Sequence, residues 1–161
     1  MILVAYASKH GSTEGIAARI AERLVARGRE AQARPVDAID DLGSPEALVL
    51  GSAIYAGSWM KEAVEFAQNH AGALAGVPVW LFSSGPLGTD VQDEEEQPRQ
   101  LAELREALDP REHRVFFGAL DRSKLGFAER MMMKAVKAPE GDFRDWDAIA
   151  AWADGIADAL G

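Results

Sequence analysis

The chain has 161 residues, 48% hydrophobic and 27% charged, with a net charge of −9. That length fits one domain, residues 1–161, with a full core. The charge disfavours nucleic-acid binding, which needs a basic surface. The absence of cysteine removes disulfides, thiolate chemistry and iron–sulfur sites, and His10, His70 and His113 are too scattered for zinc, so no metal is expected.

The first element is an apolar run, Ile2–Ala7, which reads as a buried strand. It has neither a charged start nor a cleavage-like end and is too short to span a bilayer. The expectation is therefore a cytoplasmic protein. The run breaks into Ser8-Lys9-His10-Gly11-Ser12-Thr13, and a helical pattern follows at once, with Ile16, Ile20, Leu24 and Val25 at helical spacing through Arg27. Gly28 is a plausible stop. Glu30–Val36 reads as a polar, edge-like second strand. Ala47–Leu50 is a third strand ending at Gly51, followed by a helix over Lys61–His70 and a fourth strand over Val77–Phe82. A helix over Gln97–Leu108, a fifth strand over Arg114–Phe117, and helices over Phe127–Val136 and Trp146–Leu160 complete the chain. Trp80, Trp146 and Trp152 sit in apolar periodic contexts and read as core.

Strands interleaved with helices imply parallel pairing with crossovers, and so a doubly wound α/β sheet with helices on both faces. Five strands fit the order 2-1-3-4-5, whose ligand crevice lies beyond the carboxyl ends of strands one and three. Three loops should meet there. They are Ser8–Thr13, Gly51-Ser52-Ala53-Ile54-Tyr55-Ala56-Gly57, and Ser83-Ser84-Gly85-Pro86-Leu87-Gly88. Glycine permits close backbone approach and serine supplies hydrogen bonds. The first loop opens a helix, where converging N–H groups and the helix dipole attract an anion. Alone, it could equally be an ordinary helix cap formed by Ser12 or Thr13. Neither the triphosphatase loop nor the dinucleotide fingerprint is present. Three such loops suit a ligand with a phosphate at one end and a flat polar ring at the other.

The sequence Ser8-Lys9-His10-Gly11-Ser12-Thr13 resembles the [ST]-x-[ST]-G-x-T phosphate loop of flavodoxin-like, FMN-binding proteins, with His10 where that family has a hydroxyl. Within the family the chain is most similar to the menaquinone-dependent protoporphyrinogen dehydrogenase branch. Gly51-Ser52-Ala53-Ile54 with Gly57, Gly118-Ala119-Leu120 ahead of Arg130-Met131-Met132-Met133-Lys134, and Gly141-Asp142-Phe143-Arg144-Asp145-Trp146 carry that likeness. The resemblance implies that Ser8, His10, Gly11, Ser12 and Thr13 bind the FMN phosphate. It implies that Ser52, Ala53, Ile54, Tyr55, Ala56 and Gly57, with Ser83, Ser84, Gly85, Pro86, Leu87 and Gly88, flank the isoalloxazine ring. Tyr55 and Trp59 either stack on that ring or cap the core beneath a loop. The implied activity is an FMN-dependent oxidoreductase passing electrons to a quinone. The alternatives are an electron shuttle that docks partner proteins, or a domain of this fold that has lost FMN.

Two further segments each leave two readings open. The acidic run Asp90–Glu96 is a solvated loop or an element that lowers the flavin potential. The segment Asp121–Lys137 carries Arg122, Lys124, Arg130, Lys134 and Lys137 against Asp121 and Glu129, with Phe127, Met131 and Met132 on an apolar side. It is either a helix packed on the sheet with a basic outer face, or a contact for an acidic partner or for an anionic membrane at the inner face.

Overall fold

The computed structural model describes residues 1–8, 11–55, 57–85, 99–116, 119–120, 141–142 and 144–161, with backbone alone at 55, 119–120 and 141–142. In chain order the elements are β1 (Ile2–Ala7), α1 (Ser12–Ala26), β2 (Ala31–Pro35), β3 (Ala47–Tyr55), β4 (Ser58–Trp59), α2 (Lys61–His70) and β5 (Val79–Ser84). They continue with α3 (Leu101–Leu108), β6 (Glu112–Phe116), β7 (Ala119–Leu120), β8 (Gly141–Asp142) and α4 (Trp146–Ala159). A single 3-10 turn, Val36–Ala38, follows β2.

The main sheet runs β2-β1-β3-β5-β6 with every pair on that path parallel, which is the expected order 2-1-3-4-5 once only parallel strands are counted. Two short antiparallel additions were not legible in the sequence: β4 folds back on β3, and β7 pairs with β8 as a separate ribbon. Alternation along β1 divides the core. Ile2, Val4 and Tyr6 pack with Ile16, Ile20 and Leu24 of α1 and with Ile149, Trp152 and Ile156 of α4. Leu3, Ala5 and Ala7 pack with Ala63 and Phe66 of α2 and with Leu101 and Leu104 of α3. A sheet covered on both faces needs nearly continuous apolar strands, and β1 and β5 are buried at every residue. β2 lies at the sheet edge, as its polar content predicts. Helices α1 and α4 lie side by side on one face, tied by Arg23 Nε to Asp154 Oδ1 at 2.7 Å and by Arg27 to Asp158.

Several boundaries differ from the sequence reading. Gly51 does not end β3; the strand continues to Tyr55. A Cβ at Gly51 would lie 2.0 Å from Cζ of Phe82, so this glycine makes room for a ring of the next strand. β5 starts and ends two residues later than expected, so Ser83 and Ser84 belong to the strand and not to the loop after it. Trp80 and Trp152 are core as expected, but Trp146 is 38% exposed at the start of α4. The helix expected over Phe127–Val136 and the acidic run Asp90–Glu96 lie outside the described residues. So do Lys9, His10, Ala56, Pro86–Gly88, Phe117, Gly118 and Phe143. Among the described residues no helix is long and apolar enough to cross a membrane.

Candidate functional site

Parallel register delivers the three predicted loops to one edge. Ala7 of β1 pairs with Ser52 of β3, Ser52 with Ser83 of β5, and Ser83 with Val115 of β6. β1, β5 and β6 end within one residue of that row, while β3 runs on to Tyr55. The strand order reverses between β1 and β3, the place where a doubly wound sheet opens a crevice.

The first loop turns directly into α1. Gly11 adopts φ 88° at the helix start, a left-handed conformation that costs glycine little. Its N–H donates to Ser8 Oγ at 3.1 Å, and its carbonyl accepts from Gly15 N–H at 3.1 Å. The N-cap position is Gly11 itself, which makes no side-chain cap hydrogen bond. Thr13 is fully buried, and its Oγ1 is the only buried side-chain polar atom among the described residues with no hydrogen-bond partner. A buried hydroxyl left unpaired costs about 1–3 kcal/mol. Here it lies in the first turn, where helix amides have no partner within the helix and favour an anion. These residues therefore fit a phosphate group. Beside them the Tyr6 hydroxyl donates to Glu14 Oε1 at 3.2 Å, and burial together with that carboxylate raises the phenol pKa.

The second and third loops are drawn together by glycine and by buried polar contacts. A Cβ at Gly85 would lie 3.1 Å from the Cβ, N and O of Ile54, so the β5 exit lies directly against β3. β3 and β4 form a hairpin with Gly57 in its turn at φ 79°, the backbone a tight reversal requires. The Gly57 carbonyl accepts from Arg99 N–H at 3.1 Å, and Trp59 N–H donates to Gln100 Oε1 at 3.0 Å. Gly85 and Arg99 thus both lie beside the hairpin.

Ser52 and Ser83 reach this edge, but their hydroxyls are held by protein. Ser52 Oγ donates to the Ala53 carbonyl at 2.8 Å and accepts from Met60 N–H at 2.9 Å. Ser83 Oγ accepts from Trp59 Nε1 at 2.7 Å and lies 2.7 Å from His113 Nε2. Burial, aided by the positive charge of Arg105, lowers the His113 pKa to about 4. The imidazole is therefore neutral at neutral pH, and its unprotonated ring nitrogen can accept a hydrogen bond from the Ser83 hydroxyl. Trp59 is 3% exposed, with its indole in the core beneath the hairpin, which matches the core-cap alternative for this residue. Ser84 is buried, whereas Ala53 and Ile54 stand at the strand end.

An open cavity of about 890 Å³ adjoins the first loop, lined by Tyr6, Ala7, Ser8, Glu14, Pro35, Val36, Asp37, Trp59, Met60, Lys61 and Glu62. Its charged lining comprises three carboxylates, Glu14, Asp37 and Glu62, and one lysine, Lys61.

Two residues of this neighbourhood escaped the sequence reading. His113 read as scattered, because its partner Ser83 lies on another strand, thirty positions away. Arg144 Nη1 donates to the Ser12 carbonyl at 3.4 Å, across 132 positions of chain, with its guanidinium 4.6 Å above the Trp146 ring. The only sequence signal was the motif Gly141–Trp146, which carried no assigned role.

A doubly wound parallel sheet of this order, with the first strand turning through a loop into a helix at its switch point, defines the flavodoxin-like class of α/β domains. The flavodoxin domain family profile matches residues 3–147, and the chain belongs to that family. Solved structures with this fold include a cysteine-to-serine mutant of flavodoxin from Pseudomonas aeruginosa, 18% identical with a TM-score of 0.62, the match covering 99% of this chain and 97% of that one. Oxidised flavodoxin 2 from Bacillus cereus is 24% identical with a TM-score of 0.61, covering 99% and 96%. Rubredoxin oxygen:oxidoreductase from Desulfovibrio gigas is 16% identical with a TM-score of 0.63; the match covers 99% of this chain but only 35% of that protein. No curated protein matches the chain. At these identities the structural likeness carries the fold.

Proposed function

We propose that this chain binds FMN and transfers electrons through it. The observation that carries the reading is the buried, unpartnered Thr13 Oγ1 in the first turn of α1, a donor set in place for a phosphate oxygen. When bound, the flavin supplies the electron chemistry, and the protein supplies position and electrostatics. Ser8–Thr13 would hold the phosphate, and the loops at Ser52–Gly57 and Ser83–Gly88 would flank the ring. The contacts of Trp59, Ser83 and His113 keep the hairpin and the β5 exit fixed beside it. Titration with FMN should quench flavin fluorescence and saturate at one equivalent. Failure to bind at low ionic strength would leave the reading of a fold that has lost its cofactor.

The finer reading is a protoporphyrinogen dehydrogenase-like enzyme that passes electrons to a quinone, with the basic segment 122–137 resting on an anionic membrane at the inner face of the cell. The motifs Gly51–Gly57, Gly118–Leu120 and Gly141–Trp146 support it. The second reading is a shuttle that docks redox partner proteins. It is favoured by the match to flavodoxins over 96–97% of their own length. It is also favoured by the cavity carboxylates Glu14, Asp37 and Glu62, which would repel a substrate bearing carboxylates. Quinone-coupled oxidation of protoporphyrinogen by the FMN-loaded protein separates the two.

A further inference from the structure

We infer that His113, on β6 at the end of the main sheet, sets the spacing between the second and third loops by fixing the hydrogen bond that ties the β3–β4 hairpin to β5. The inference rests on the FMN reading above, in which those two loops flank the ring, and it adds a positioning residue that lies outside all three loops. The hairpin is short. β4 is two residues long and pairs with β3 at Ile54–Trp59 and Tyr55–Ser58. So brief a ladder does not hold itself in place. Three of its ties run to Arg99 and Gln100 ahead of α3 and to Ser52 of β3 itself. Among the described residues, the tie from β4 to β5 is the Trp59 indole, through Nε1 to Ser83 Oγ at 2.7 Å. Ser83 stands two residues ahead of Gly85, where the chain leaves β5.

The chemistry of the three side chains decides which way the protons in this contact point. An indole N–H can only donate, so Ser83 Oγ accepts from Trp59. Ser83 is fully buried and has a single hydroxyl proton to place. Its other side-chain partner among the described residues is His113 Nε2, 2.7 Å from the same oxygen. The proton therefore goes to Nε2, which must be the bare ring nitrogen, and the imidazole carries its hydrogen on Nδ1. Burial and the positive charge of Arg105 on α3 keep the ring from taking a second proton, so the acceptor is present at neutral pH. Trp59, Ser83 and His113 thus join β4, β5 and β6 by two hydrogen bonds in series. Remove the acceptor and the Ser83 proton is buried and unpaired. An unpaired buried donor is costly, so the hydroxyl reorients and its bond from Trp59 weakens. The hairpin then loses its fixed distance from the β5 exit.

The test follows FMN, riboflavin (which lacks the phosphate) and the Trp59 indole in wild type, His113→Leu, His113→Gln, Trp59→Phe and the double variant His113→Leu with Trp59→Phe. His113→Leu should weaken both flavins by the same factor, about fivefold, because the ring slot and not the phosphate loop is disturbed. His113→Gln, whose amide oxygen can accept from Ser83, should keep both affinities within about twofold of wild type. The double variant should bind no worse than the weaker single one, since both changes break one chain of contacts. Four results overturn the inference: unchanged riboflavin affinity in His113→Leu, a loss confined to FMN, equal losses in His113→Leu and His113→Gln, or additive losses in the double variant. In the ligand-free protein, nitrogen NMR should find the His113 hydrogen on Nδ1. The Trp59 indole hydrogen should exchange about fivefold faster in His113→Leu and at the wild-type rate in His113→Gln. A wild-type ring protonated at Nε2 overturns the inference even where a variant fails to fold. If wild type binds neither flavin, the cofactor reading falls, and the indole exchange alone decides whether His113 holds the hairpin.

Discussion

Thr13 and His113 are polar residues placed where apolar ones would pack with less penalty, and each has a measurable consequence. Thr13→Ala removes a buried hydroxyl that has no partner in the protein. The ligand-free protein should lose little stability, because relief of an unmade hydrogen bond offsets the loss of the buried γ-methyl. FMN should weaken by about 1.5–3 kcal/mol, the worth of a hydrogen bond to a charged group. Riboflavin should be nearly indifferent, and parallel fluorescence titrations would expose a fold-wide effect as equal weakening of both. His113 behaves differently. Its pKa falls from 6.5 to about 4 on folding, so between those values the unfolded chain binds more protons than the folded one. Stability then rises with pH through that window. The His113 contribution is complete above about pH 6.5 and is lost as pH falls towards 4. In His113→Gln, an uncharged side chain that can still meet Ser83, the urea midpoint should drop less between pH 7.5 and 4.5 than in wild type. Identical drops would remove His113 from the acid response.

At the scale of elements, β3 shows how a neighbour overrides a local signal. Glycine weakens strands, and Gly51 alone reads as a stop. The Phe82 ring fills the space where its side chain would be, so the strand runs on and reaches the hairpin. Gly51→Ala would force a Cβ into that ring and should destabilise by about 1–3 kcal/mol through overpacking. Phe82→Leu should recover part of the loss in the double variant, because the two sites share one volume. Additive losses measured by urea denaturation would sink this account. The β3–β4 hairpin matters for the site because Trp59, Met60 and Gln100 fasten it to β5, β3 and the start of α3.

For the molecule as a whole, charge governs encounters. A net charge of −9 repels anionic lipid in general, so any vesicle binding must come from a local basic surface. Each basic residue close to such a membrane contributes about 1 kcal/mol. On the membrane reading, wild type should bind vesicles containing anionic lipid, and replacing Arg130, Lys134 and Lys137 together by Gln should abolish binding without changing FMN affinity. On the shuttle reading, wild type ignores vesicles, and its reduction by a flavoprotein reductase slows as salt screens the acidic surface.

By itself the sequence determined the alternation of strands and helices, the parallel order with β2 at the edge, and the loop that turns from β1 into α1. Those follow from local patterns: apolar runs long enough to be buried on both faces, helical spacing in α1, and hydroxyls around a single glycine. Strand register then had to bring Ser8, Ser52 and Ser83 to one edge, because parallel crossovers return every strand in the same direction. Only the tertiary structure decided what each of those residues does there. Ser83 meets Trp59 of β4 and His113 of β6, Gly51 yields to Phe82, and Arg144 reaches Ser12 from the opposite end of the chain. Contacts between residues so far apart leave no period or spacing in a single sequence, since they depend on which side chains the sheet brings face to face.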